Sequence, residues 1–225
     1  MKWKDAVKAV VFDFAGTLVD GRLDVSDSRR KAVALLEKKG YRIETIAFDE
    51  AMEAALKVAR KKRASCVETP YSYVIGDALS RLGINPTADL IREIEDSDFA
   101  CYHWHLRSGV REAVVTLHDD ILLGVISNSW TDSVKRILTE SGLAEYFDVI
   151  VLSKDIGYRK PDRRIFLHVA KLLELNPGQV VFVGDSFADD VLGPSAAGMI
   201  PVWKGVAVGV DSLDIPPVLA RMLPI

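Results

Sequence analysis

The segment of residues 10–20, Val-Val-Phe-Asp-Phe-Ala-Gly-Thr-Leu-Val-Asp, carries one carboxylate, that of Asp13, from an apolar run into a turn of small residues. A carboxylate in this position can act as a nucleophile, and its attack on phosphorus would give an aspartyl-phosphate. Two positions later the sequence has Ala15, which can neither donate nor accept a proton. The segment therefore predicts a nucleophile that lacks an acid-base group beside it.

Further apolar runs follow along the chain, at residues 121–127, 148–152, 180–184 and 199–202. Runs this continuous are typical of strands buried on both faces, as in a parallel sheet. Helical patterns lie between them, for example over residues 131–141 and 161–173. The alternation of strands and helices predicts a doubly wound, Rossmann-like α/β fold.

Residues 21–105 interrupt this alternation, because they contain helix signals and no convincing buried strand. We therefore expect a catalytic core formed by residues 1–20 and 106–225, with an inserted helical cap of residues 21–105. The insertion directly follows the strand of Asp13, so we expect the cap to stand over the carboxyl edge of the sheet, where open α/β sheets bind ligands. There it could exclude water and contact the substrate. The expected cap helices cover residues 27–39, 49–63, 70–82 and 87–105.

Polar residues follow four of the predicted strands, and together they suggest phosphoryl chemistry. Asp13 and Asp185 could share a hard divalent cation such as Mg²⁺, which prefers carboxylate and carbonyl oxygens. Lys160 and the polar side chains of residues 127–129 then remain for an anion. Transfer of a phosphoryl group needs positioning and charge neutralisation of this kind.

These segments resemble the four motifs of the haloacid dehalogenase superfamily of hydrolases, in the order of that family. The helical interval is similar to the family's cap. The resemblance implies a Mg²⁺-dependent, phosphatase-like hydrolase that acts on a small phosphorylated substrate through an aspartyl-phosphate. The matching segments are Asp-Phe-Ala-Gly-Thr-Leu at residues 13–18, Ser-Asn-Ser at 127–129, Lys-Pro-Asp at 160–162, and Gly-Asp-Ser-Phe-Ala-Asp-Asp at 184–190.

The resemblance also implies roles for individual residues in holding the metal. Asp13 would be the nucleophile and a Mg²⁺ ligand, and the Ala15 carbonyl and the Asp185 carboxylate would be further ligands. Asp190 would orient a metal-bound water, with Asp189 as the alternative.

For the substrate, the resemblance implies that Ser127 holds a phosphoryl oxygen and that Lys160 neutralises charge between Asp13 and the phosphoryl group. The remaining substrate-binding positions lie in the first and second motifs, at Ala15, Gly16, Thr17, Asn128 and Ser129.

Ala15 departs from the family pattern, because family phosphatases have a second aspartate there that protonates the leaving group and later activates water. Such help is typically worth about 10²–10⁴-fold in rate, or roughly 3–5 kcal/mol. The substrate could have a leaving group that needs little protonation, as in an acyl or aryl phosphate. Otherwise a cap residue, or a histidine near the end of the cap such as His103 or His105, would supply the proton.

Three alternatives stay open at this point. Alanine at this position also resembles phosphonoacetaldehyde hydrolases, in which a cap lysine forms a Schiff base; Lys57, Lys61 and Lys62 are candidates. In those enzymes an arginine typically replaces the lysine of the third motif. Haloacid dehalogenases themselves need no metal and usually have tyrosine at the position of Ala15. A phosphoryl-binding or regulatory protein with weak activity is the third alternative.

Composition excludes some classes of partner. The net charge of −3 gives no basic excess for binding nucleic acid. The sequence has no apolar signal region at its N-terminus and no run of 18 apolar residues, so we expect a cytoplasmic protein without a membrane partner. Cys66 and Cys101 form no disulfide pattern, so we expect reduced thiols.

Overall fold

The computed structural model describes residues 6–203 and 206–207. The chain divides into two compact units, one of residues 1–20 with 105–225 and the other of residues 21–104. The predicted core includes residues 204–225. Apart from 206–207, these lie outside the described residues. In chain order the elements are β1 (Ala9–Phe12), β2 (Val19–Leu23), α1 (Val25–Lys38), α2 (Thr45–Arg63), α3 (Tyr71–Arg81), α4 (Ala88–Phe99), β3 (Tyr102–Leu106), α5 (Val110–His118), β4 (Leu122–Ser127), α6 (Ser133–Glu140), β5 (Val149–Leu152), α7 (Ser153–Ile156), α8 (Arg163–Leu172), β6 (Val180–Gly184), α9 (Gly193–Ala197), β7 (Ile200–Trp203) and β8 (Val206–Ala207), with 3₁₀ turns at Ala144–Tyr146 and Pro177–Gln179 and a π-helix at Phe187–Leu192.

The first unit contains a six-stranded sheet in the order β5-β4-β1-β6-β7-β8. Its first five strands are parallel, and β8 is antiparallel to β7. Helices in the connections between the parallel strands make this the predicted doubly wound α/β fold. Residues of the central strands are completely buried, including Phe12, Val125 and Phe182. The continuous apolar runs in the sequence thus correspond to strands with both faces covered.

Four helices, α1 to α4, make up most of the second unit. α1 begins after Asp24, whose side chain accepts a hydrogen bond from the Asp27 main-chain N–H at 3.0 Å. Thr87 caps α4 in the same way. Apolar side chains on one face of each helix are buried, as the helical spacing predicts. The assignment of this unit as a cap over the active site remains a prediction.

The predicted helix over residues 87–105 is wrong in its last part. α4 ends at Phe99, and Tyr102–Leu106 form strand β3, which pairs with β2 in a separate two-stranded sheet. Exposed His103 and His105 alternate with less exposed neighbours, which is the period of two expected of a strand. The helical pattern of the preceding residues obscured this period in the sequence. The two histidines therefore lie on one face of a strand. Both β2 and β3 reach into residues 21–105, but none of their residues there is buried, in agreement with the expectation that this interval holds no buried strand.

Within the part of the chain that the structure describes, no helix combines the length and the apolar character that crossing a membrane requires.

Candidate active site

The three central strands bring the first, second and fourth sequence motifs together. β1 pairs in parallel with β4 on one side and β6 on the other, so their carboxyl ends meet at one edge. Asp13 follows β1, Ser127 ends β4 and Asp185 follows β6. Asp13 is tied to the neighbouring strand because its main-chain N–H donates to the Val183 carbonyl at 2.8 Å.

Asp13 is buried, with 7% of its surface exposed, and both of its carboxylate oxygens accept hydrogen bonds. Lys160 Nζ donates to Oδ1 at 2.6 Å, and Thr17 Oγ1 donates to Oδ2 at 3.0 Å. Burial raises the pKa of Asp13 to about 6, and the nearby negative charge of Asp190 adds to this, although the charge of Lys160 opposes it. Burial therefore disfavours the ionised form of Asp13, and a further positive charge beside it, in addition to that of Lys160, would stabilise that form.

Lys160 joins two of the carboxylates. Its Nζ lies 2.6 Å from Asp13 Oδ1 and 2.6 Å from Asp190 Oδ1, and the residue is 3% exposed. Burial acts to lower the pKa of Lys160, but the charges of Asp13 and Asp190 outweigh it and raise that pKa above its usual range. The ammonium group therefore stays charged between the two acids.

Asn128 fixes the backbone of Lys160. Its Oδ1 accepts from the Lys160 main-chain N–H at 2.7 Å, and its Nδ2 donates to the Lys160 carbonyl at 3.1 Å. The same amide nitrogen donates to Asp189 Oδ2 at 3.1 Å. Ser129 is also engaged, because its hydroxyl donates to the Thr131 carbonyl at 2.9 Å. Of the second motif, Ser127 is buried at the strand end, while Asn128 and Ser129 are already committed to other protein groups.

Asp190 orders the loop after β6. Its Oδ2 accepts hydrogen bonds from the main-chain N–H groups of Asp185 at 3.1 Å and Ser186 at 2.9 Å, and the residue is 1% exposed. The π-helix Phe187–Leu192 carries both Asp189 and Asp190. Helices of this type are often found at functional sites. The Asp190 carboxylate thus links Lys160 to the backbone that carries Asp185.

Two glycines allow the carboxylates to approach the backbone closely. Gly16 has φ +85°, and a Cβ added there would lie 2.4 Å from Asp185 Oδ2. A Cβ added at Gly184 would lie 2.4 Å from the Asp190 side chain. Both distances are far below van der Waals contact, so only glycine fits at these positions. Beside Gly16, the Ala15 side chain is exposed.

The carboxylates form a group that suits a divalent cation. Asp13, Asp185 and Asp190 each offer an oxygen, and these oxygens lie within 4.8 Å of one another. When all three are ionised, Lys160 balances only one of them, which leaves two negative charges. Burial, and then the charge of Asp190, raises the pKa of Asp185 as well. Two excess charges on hard oxygen donors fit Mg²⁺.

Three further residues, one in contact with this group and two paired with each other, had not been singled out from the sequence. Trp203, at the end of β7, donates from Nε1 to the Asp185 carbonyl at 2.9 Å. Arg107 Nη1 contacts both carboxylate oxygens of Asp20, at 2.9 and 3.0 Å. The predicted strand at residues 199–202 could have directed attention to Trp203, because its carboxyl end belongs to the same edge. No sequence pattern connects Asp20 with Arg107, which are 87 positions apart.

Curated relatives of this chain include several phosphatases. A glyceraldehyde 3-phosphate phosphatase of Methanopyrus kandleri is 26% identical over 201 residues, which cover 87% of this chain and 83% of the relative. An N-acylneuraminate-9-phosphatase of Rattus norvegicus is 28% identical over 225 residues, covering 93% and 87%.

Solved structures share the fold. A HAD phosphatase from Thermococcus onnurineus has a TM-score of 0.58 at 25% identity and covers 92% of each chain. A 2-haloacid dehalogenase from Pseudomonas syringae has a TM-score of 0.69 at 24% identity, covering 96% of this chain and 99% of the other, and at that identity it shows the fold alone. The model of the haloacid dehalogenase-like hydrolase family matches residues 7–198. The chain therefore belongs to the haloacid dehalogenase-like hydrolases.

Proposed function

We propose that this hydrolase is a Mg²⁺-dependent phosphatase that transfers the phosphoryl group of a small substrate to Asp13. The observation that carries the proposal is the group of buried Asp13, Lys160 and Asp190 with half-buried Asp185, in which the ammonium contacts two of the three carboxylates. Such a group attracts a divalent cation and then an anion. The names of the curated phosphatases support the same reaction class.

In the first step the Asp13 carboxylate attacks phosphorus, and the bond from phosphorus to the leaving-group oxygen breaks with its electron pair on that oxygen. Thr17 and Lys160 hold the Asp13 carboxylate through their hydrogen bonds, and Lys160 also offsets phosphoryl charge. Ser127 binds a phosphoryl oxygen, whereas the main-chain N–H groups of Gly16 and Thr17 donate instead to the Val19 carbonyl at 2.8 Å and the Phe14 carbonyl at 3.4 Å. A Mg²⁺ ion held by Asp13, Asp185 and the Ala15 carbonyl would supply further charge neutralisation.

The second-motif residues and Asp190 organise this machinery in the proposal. Asn128 positions Lys160 through its backbone, and Ser129 shapes the same loop. Asp190 holds both Lys160 and the Asp185 loop, and we assign it the orientation of the hydrolytic water as well. Asp189, held by Asn128, is the less suitable group because it is only partly buried and does not belong to the group of three carboxylates.

Ala15 sets the substrate preference of the proposed enzyme. No side chain at this position can protonate the leaving group, so the oxygen departs as an anion or takes its proton elsewhere. Aryl and acyl phosphates tolerate this best because their leaving groups are weak bases. The same position cannot activate water in the second step, so hydrolysis of the aspartyl-phosphate is slowed as well.

A lysine-dependent cleavage of a C–P bond is less well supported. A lysine that forms a Schiff base needs a lowered pKa, which burial can provide. Lys57, Lys61 and Lys62 are all exposed on α2. We therefore propose no Schiff-base step.

The test compares hydrolysis of p-nitrophenyl phosphate and glycerol phosphate, each with Mg²⁺ and with a chelator. We expect Mg²⁺-dependent turnover of the aryl ester and at least tenfold lower kcat/KM for the alkyl ester. Asp13→Asn should abolish both activities, and Ala15→Asp should raise the alkyl activity. Turnover that continues in chelator, or full activity of Asp13→Asn, would contradict the proposal. No turnover of either ester would instead favour a phosphoryl-binding role.

A further inference from the structure

Arg107 is a cationic residue at the edge of the candidate site that the proposed mechanism does not use. It directly follows β3, and its main-chain N–H donates to the Leu18 carbonyl at 3.0 Å. The Leu18 N–H in turn donates to the carbonyl of Phe14, the residue after Asp13. Arg107 is therefore anchored to the same short segment that carries Asp13 and Gly16.

Among the described residues, the partner of the Arg107 guanidinium, Asp20, holds it through one of its three nitrogens. Nη1 donates to both carboxylate oxygens of Asp20. Nε is buried and has no hydrogen-bond partner among residues 6–203, and the hydrogen bonds found for the side chain in that range all involve Nη1. Nη2 has no hydrogen bond in that range, and a guanidinium N–H group binds a carboxylate or phosphate through a charge-assisted hydrogen bond. Asp20 thus fixes the group through Nη1, while Nη2 remains available to a ligand.

The positive charge of Arg107 also acts on one of the active-site carboxylates, that of Asp185. Burial and the charge of Asp190 raise the pKa of Asp185, and Arg107 acts in the opposite direction, together with Lys160. The Arg107 side chain is 31% exposed, so a ligand can reach part of it.

We propose that Arg107 binds a second anionic group of the substrate, a carboxylate or phosphate on the leaving group, outside the phosphoryl group that is transferred. This inference rests on the phosphatase function proposed above. The site already offers Lys160 and a cation site to the transferred group, whereas a second anionic group elsewhere on the substrate has no positive partner among them. A guanidinium fixed by Asp20 meets that need and selects for anionic leaving groups.

The test uses pairs of competitive ligands that differ in one anionic group. 3-Phosphoglycerate is compared with glycerol 3-phosphate for a carboxylate, and fructose 1,6-bisphosphate with fructose 6-phosphate for a second phosphate. Inhibition constants against p-nitrophenyl phosphate are measured with Mg²⁺ for the wild type, Arg107→Gln and Arg107→Lys. Arg163→Gln, which changes an exposed arginine of α8, is the matched control.

In at least one pair, we expect the wild type to bind the more anionic ligand at least about tenfold more tightly than the other ligand. The pair that shows this difference identifies the anionic group, carboxylate or phosphate, that Arg107 binds. Arg107→Gln should remove about 10- to 100-fold of that affinity, the range for hydrogen bonds between charged groups. It should change kcat/KM for p-nitrophenyl phosphate less than threefold. Arg107→Lys and Asp20→Asn should have intermediate effects, because the first keeps the charge without the planar guanidinium and the second frees the guanidinium.

Equal affinity within both pairs for the wild type would overturn the inference. So would an Arg107→Gln variant that weakens both members of a pair, and p-nitrophenyl phosphate, to the same extent. If the wild type fails to hydrolyse p-nitrophenyl phosphate, the phosphatase proposal fails. Calorimetric binding of the same ligands to the wild type and to Arg107→Gln then decides on Arg107 separately.

Discussion

Replacing Asp13 by asparagine should stabilise the metal-free protein at neutral pH. Burial raises the pKa of Asp13 from its ordinary value of 3.8 to about 6. Because the folded-state pKa lies above the unfolded one, the stability contributed by this group is fully present below pH 3.8 and is lost as the pH rises through about 6. Asparagine keeps the shape and an acceptor for Thr17 but does not ionise. Asp13→Asn therefore avoids this loss.

The magnitude follows from the two pKa values. At about 1.4 kcal/mol per pKa unit, a rise from 3.8 to about 6 corresponds to about 3 kcal/mol at pH 8. At pH 5 the wild-type carboxyl is largely protonated when folded, so the difference shrinks to about half. We take 1 to 3 kcal/mol as the expected gain at pH 8, because Lys160 loses one of its two carboxylate partners in the variant.

Urea unfolding with a chelator at pH 8 and pH 5 measures this gain, and p-nitrophenyl phosphate hydrolysis shows whether activity is lost. Added Mg²⁺ should narrow the difference at pH 8, because it binds the wild-type carboxylate group and stabilises only that folded state appreciably. A variant that is less stable than the wild type at pH 8, or a gain that does not depend on pH, would refute the reasoning.

Three further changes test other contacts. Gly16→Ala should weaken Mg²⁺ binding at least tenfold by calorimetry, because its Cβ would displace Asp185, and unchanged affinity would argue against Asp185 as a ligand. Asn128→Leu should lower kcat for p-nitrophenyl phosphate at least tenfold by releasing the backbone of Lys160. An unchanged kcat with a native circular dichroism spectrum would contradict a positioning role for Asn128. Tyr71→Phe in the second unit should lower the free energy of urea unfolding by about 1–3 kcal/mol, since Tyr71 donates to buried Asp98 at 2.6 Å. Tyr73→Phe, at a 55% exposed position, should lower it little, and equal effects of the two changes would contradict this prediction.

The positions of the polar strand ends could be predicted because two physical rules are local. Buried parallel strands require continuous apolar runs, and the carboxyl ends of such strands share one edge of the sheet. Asp13, Ser127 and Asp185 were located in this way, and the structure brings them to that edge.

Contacts between distant parts of the chain could not be predicted. Nothing in the sequence shows that Asn128 turns toward the backbone of Lys160, or that Asp190 contacts Lys160. β3 could not be predicted because its residues directly follow a strong helical pattern. Its five residues are too few for the alternation of exposed and less exposed side chains to outweigh that pattern. Pairing with β2, which depends on the fold, decides its conformation.

The measurement that tests the central claim most directly is a rapid-quench reaction with p-nitrophenyl phosphate and Mg²⁺, followed by mass analysis of the denatured protein. Because Ala15 cannot activate the hydrolytic water, we predict a burst of p-nitrophenol and a phosphoryl group on the peptide containing Asp13, both absent from Asp13→Asn. Release of p-nitrophenol at a constant rate from the first turnover, with no burst and no phosphorylated peptide, would contradict this mechanism. Phosphate would then be released without a covalent intermediate on Asp13.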